Sequence, residues 1–151
     1  MNALWRAKSA ITSATKGWLC VWLLLVLWTM TSLRAKGHAS FTNLLSMLLI
    51  WVVSTGIVTM TTTILLMVPY VCLRGVDILL HKPWLIYFES GALAIFATLV
   101  LTHFVKPTAE TFSATLKPFL VFALATSLTS SAFYIKKLRA MSKQQVTSGS
   151  D

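Results

Sequence analysis

The chain has 151 residues, of which 56% are apolar and only 11% charged, with a net charge of +9. Soluble domains carry about 25% charged residues, so this composition argues against an ordinary soluble fold. The basic excess does not point to nucleic acid either: Lys and Arg flank long apolar segments without forming a stripe interleaved with aromatics, which is how charges meet anionic lipid head groups.

Residues 1–16 are basic and free of acid, with Leu4, Trp5 and Ile11 on one helical face. That pattern predicts a weak interfacial helix, although the Ser and basic content also fits a mitochondrial transit peptide. The plainer expectation is a cytoplasmic flank. A first span follows at about 17–33, rich in Leu, Val and Trp. Gly37 and Ala39 before Ser40 have the small-x-small form of a cleavage site. The length of the apolar run, its Trp residues and the nearby Arg34 and Lys36 favour an uncleaved anchor.

The second apolar stretch, Phe41–Leu73, would make a helix about 50 Å long at 1.5 Å per residue. The hydrocarbon core is only about 30 Å thick. Pro69 is the expected break, giving a span at about 44–67 and a short surface helix from Pro69 to His81. On that helix Val71, Cys72, Val76, Leu79 and Leu80 are expected to face lipid, and Arg74, Asp77 and His81 water. Arg74 and Asp77, three apart, are placed to pair.

A third span is expected at about 84–105, opened by Pro83. A fourth, at about 116–135, is weakened by Lys117 and Pro118 and by Thr126, Ser127, Thr129, Ser130 and Ser131. Residues 142–151 read as a disordered polar tail. The expected architecture is one all-α transmembrane domain over residues 1–141, a bundle of four spans.

Orientation follows from the basic residues. With the N-terminus inside, the cytoplasmic set is Arg6, Lys8, Lys16, Arg74, Lys82, Lys136, Lys137, Arg139 and Lys143, against Arg34, Lys36, Lys106 and Lys117 outside. That bias predicts both termini in the cytoplasm, with Trp18, Trp84 and Tyr134 at the inner interface and the basic set against anionic head groups.

Lipid tails are as apolar as Leu, so helices associate in a bilayer through close packing of small residues and interhelical hydrogen bonds. Three spans carry such residues in rows of spacing four: Thr55, Thr59 and Thr63 beside Gly56; Ser90, Ala94, Thr98 and Thr102; and Ala123, Ser127 and Ser131. These rows are expected to face one another or a partner protein; the rival use is to line a polar path. The first span has no such row and is expected to be the most lipid-exposed.

Glu89 is the one acid expected at membrane depth, and intramembrane ionisable residues are functional candidates. The rival reading is a carboxylate favoured by a helix N-terminus and head-group water. His103 lies fourteen residues on, about 21 Å along the same helix, too far for one proton pair. Cys20 and Cys72 form no C-x-x-C, and neither metal nor cofactor is expected. Without H-E-x-x-H, G-x-S-x-G or a Gly-rich phosphate loop, no enzyme is expected.

The functional expectation is a non-enzymatic, multi-pass protein of the bacterial inner membrane that binds another membrane protein. Such a protein would serve as an accessory subunit of a secretion, conjugation or transport assembly, or as an immunity or exclusion factor. The alternative is a small oligomeric channel or ion-coupled transporter using Glu89.

Overall fold

A computed structural model of the chain describes residues 3–36, 41–104 and 109–148. Among these every regular element is a helix: α1 (Ala3–Lys36), α2 (Phe41–Leu73), α3 (Val76–His81), α4 (Pro83–Phe104) and α5 (Ala109–Ser148). Three stretches are long and apolar enough to cross a membrane, Ala3–Trp28, Pro83–Val100 and Phe119–Lys143, and Thr59–Leu73 adds a shorter apolar helix. The chain is an integral membrane protein built of helices. Gly37, Ala39, Ser40 and Lys106 lie outside the described residues.

The helices outrun the spans read from hydropathy. α1 takes in the basic flank and reaches 34 residues, and α5 reaches 40. At 1.5 Å per residue these are about 51 and 60 Å long, so each extends well past a hydrocarbon core of about 30 Å. Residues 142–148, expected as part of a disordered tail, continue α5.

Pro69 does not break α2, which runs on for another turn to Leu73. Proline removes one N–H and crowds the preceding turn, but membrane helices tolerate it where neighbours accommodate the freed carbonyl. The break comes instead at Gly75, which is extended (φ −62°, ψ 140°). The short α3 then ends at Lys82 (φ −125°, ψ 66°), because the following Pro83 disfavours helical geometry in the residue before it. The Lys82 N–H still donates to the Ile78 carbonyl at 2.9 Å.

This turn corrects the expected lipid face of the surface helix. Val71 and Leu79 are buried in the protein core, because folding back at Gly75 lays α3 against α4 and α5. The core gathers Ala10 and Ala14 of α1, Met67 and Val71 of α2, Ile86 of α4, and Tyr134, Ile135 and Leu138 of α5. Tyr134 is wholly buried and belongs to this core.

α5 packs chiefly against α1 and α4, and α1 packs also against α2. Two glycines set the closest crossings. A Cβ on Gly17 would lie 2.6 Å from the Ser130 amide nitrogen and 2.8 Å from its Cα, so α1 and α5 meet nearly backbone to backbone. A Cβ on Gly56 would lie 2.7 Å from the Trp18 indole nitrogen, where α1 meets α2.

Candidate functional site

The basic residues collect at the end where the core lies. Arg6, in the second turn of α1, donates to the carbonyl of Cys72 at 3.3 Å and to those of Val71 and Arg74. These are carbonyls at the end of α2 and just beyond it, where a helix has acceptors without helical partners and the negative end of its dipole. One planar guanidinium thus caps the second helix from the first.

Arg74 extends the chain of contacts. Its carbonyl accepts from Arg6, and its own guanidinium reaches Glu89 of α4 at 2.6 Å and lies 5.7 Å from the Tyr70 ring centroid. The expected partner was Asp77, whose side chain lies outside the described residues; Glu89 takes the ion pair across the α3 turn. The side chains of Arg74 and Glu89 are 42% and 23% exposed, so the pair is only partly covered by protein. Among the described residues, the buried Glu89 Oε2, Arg6 Nε, Tyr70 OH and Tyr134 OH find no hydrogen-bond partner.

On the other side of Tyr134, Lys137 lies 5.7 Å from the Trp5 ring centroid and 3.5 Å from the Thr12 hydroxyl. Lys136, Arg139 and Lys143 line an open groove beside Tyr87. Lys8, Lys16 and Lys82 are exposed.

The small-residue rows are buried. Gly56, Thr59 and Thr63, then Ser90, Ala94 and Thr98, then Ala123, Ser127 and Ser131 all turn inward; the side chains of Thr55 and Thr102 lie outside those described. Two of the rows meet directly, the hydroxyls of Ser90 and Ser131 lying 2.8 Å apart. Elsewhere the hydroxyls turn back on their own helices: Thr63 to the Thr59 carbonyl at 2.7 Å, Thr98 to Ala94 at 2.7 Å, and Ser131 to Ser127 at 2.9 Å. This removes a polar group from the interface while keeping the surface narrow. His103 is exposed in the last turn of α4; the structure does not bring it to Glu89.

Sequence reading missed a fourth row. Ser9, Ser13 and Gly17, with Ala10 and Ala14 beside them, form a buried stripe on α1 at the same spacing. Ser130 of α5 reaches into it, with its hydroxyl 3.4 Å from the Ala14 carbonyl. The first helix is therefore the closest partner of α5 along its N-terminal half. Its second half keeps the expected exposure, at Leu19, Leu23, Leu24, Leu27 and Trp28. Arg6 was legible only as a charge, because nothing local foretells the carbonyls 65 to 68 residues away.

Comparison of the chain with protein-family models, curated proteins and solved structures returns no match. Fold and site together define a class: a helical integral membrane protein whose long helices are fastened at one end by a basic, aromatic centre. Among the described residues no group of His, Cys, Asp and Glu has the form of a metal site.

Proposed function

We propose that the chain is a four-span protein of the bacterial inner membrane, with both termini in the cytoplasm, that works by binding another membrane protein. Accessory subunits of secretion, conjugation or transport assemblies and immunity or exclusion factors are the matching roles. The observation that carries this reading is the division of α1. One face of its N-terminal half, through Ser9, Ala10, Ser13, Ala14 and Gly17, is buried, whereas the other half presents Leu24, Leu27 and Trp28 at 66%, 61% and 72% exposure. Large aromatic and aliphatic side chains projecting from a fastened helix are knobs for the small-residue surface of a partner helix, a gain in dispersion contacts and not in apolar burial. Glu89 is held by Arg74, a role in joining α2 to α4 that needs no transported ion.

The test is photo-crosslinking in native membranes from a crosslinker at Leu24 or Trp28, followed by identification of the adduct. A stoichiometric heterologous membrane protein is the expected product, lost in a Trp28→Ala background. A ladder of adducts with this chain alone would overturn the reading and favour an oligomeric channel. Flux through proteoliposomes that disappears in Glu89→Gln would do the same.

A further inference from the structure

Between the first turns of α4 and the last third of α5 lies an open groove of about 390 Å³. Its floor is apolar, made by Tyr87, Ala132 and the buried Ile135. Its rim is cationic: Lys136, Arg139 and Lys143 all line it, and Ala140 leaves room between them. These cations stand at i, i+3 and i+7, on one face of the helix. Among the described residues no acidic side chain lines the groove, and the nearest carboxylate along α4, Glu89, is engaged by Arg74.

The polarity of the groove runs along α5. Ala132 and Ile135 lie on the side of the membrane-crossing stretch, which begins at Phe119, and the charges lie towards its end. Trp84 at 61% exposure and Leu73 at 85% stand at the same end of the molecule. Exposed Trp among basic residues marks the head-group level. A ligand here meets three positive charges at one end and a greasy floor at the other, which is the complement of an amphiphile with an anionic head. Basic pockets between membrane helices on the cytoplasmic side hold phospholipid head groups by this means.

We propose that this groove is a specific binding site for an anionic phospholipid. The phosphodiester is held by Lys136, Arg139 and Lys143, and the first carbons of an acyl chain lie on Ala132, Ile135 and Tyr87. The floor commits the site to a lipid; a soluble phosphate would use the rim alone. The site stands whether or not the chain has a protein partner.

The experiment is native mass spectrometry of the full chain, titrated with phosphatidylglycerol or phosphatidylcholine. Phosphatidylglycerol is expected to be retained in preference. With about one basic residue's worth of attraction lost at each of three positions, Lys136→Gln/Arg139→Gln/Lys143→Gln should weaken it roughly a hundredfold. A triple with the same loss of charge, Lys8→Gln/Lys16→Gln/Lys82→Gln, should change it less than about threefold, because screened charges outside the groove add little. Ala132→Phe fills the floor and should reduce lipid retention while leaving the rim intact. If the groove triple does not fold, the three single Gln variants carry the same comparison. Equal losses in the two sets would overturn the proposal in favour of diffuse surface charge. Displacement by inorganic phosphate, with Ala132→Phe silent, would overturn it in favour of a soluble-anion site.

Discussion

The two halves of α1 solve different problems with one helix. From Ala3 to Gly17 it is built of Ser, Ala and Gly among basic residues, and its inward face is wholly covered by α2 and α5. From Trp18 onward it is built of Leu, Val and Trp; Trp18 meets Gly56 of α2, while Leu19, Leu23, Leu24, Leu27 and Trp28 stand outward. In water the second half would be the one to bury. In lipid a Leu gains nothing by leaving the tails, whereas a narrow surface lets backbones approach and dispersion contacts accumulate. At the basic end Tyr134, Leu138 and Val71 are large and are buried all the same, in one apolar cluster.

The sharpest way to break this contrast is Gly17→Leu. The atoms it meets are the backbone of Ser130, which cannot swing aside. Overpacking usually costs about 1–3 kcal/mol, and a backbone collision should reach the upper end or beyond. The expected outcome is a large fall in the SDS fraction needed to unfold the protein from mild micelles. Next is Arg6→Met, which keeps the stem and removes the donors. Charge-assisted hydrogen bonds are worth about 1.5–3 kcal/mol, so the same unfolding curve should shift by about 2 kcal/mol. Arg6→Lys should recover only part, since an ammonium lacks the planar fork.

Glu89→Gln sits lower in the order. With Arg74 42% and Glu89 23% exposed, the pair is part-buried, and about 1 kcal/mol or less is expected if water reaches it, read from the same titration. A loss of several kcal/mol would mean that the bilayer dries this ion pair. Smallest of all is Leu24→Ala, at 66% exposure in the lipid half, which should change stability by no more than about 0.5 kcal/mol. A cost comparable to that of Gly17→Leu would erase the distinction between the halves.

Much of this was open to sequence reading, and the failures have a common cause. Helical class and the rows through Thr59, Ser90 and Ser131 were legible because spacing four is a local property. The Ser9–Ser13–Gly17 row has the same spacing, but hydropathy places it before the first span, where a basic flank was expected. Window-based reading asks where a chain prefers lipid, and the buried row on α1 answers a different question, where two backbones can touch. The pairing of Arg74 with Glu89 and the capping of α2 by Arg6 depend on the fold-back at Gly75, which puts distant segments side by side. Pro69 was the stronger local signal and Gly75 the operative one, because a helix among neighbours can carry a proline that an isolated helix would not.

The Arg6 contacts also impose an order on how the chain is made. The guanidinium waits on the earlier helix for carbonyls of Val71, Cys72 and Arg74. Those acceptors do not exist until the ribosome has passed them and α2 has been delivered antiparallel to α1. Until then the arginine must be served by water or head groups. Its engagement therefore certifies that the first two segments have arrived together, in opposite directions, with their ends on the same side. A nascent chain in which the second segment stalls or inverts keeps that guanidinium on water or head groups in place of the carbonyls at the end of α2.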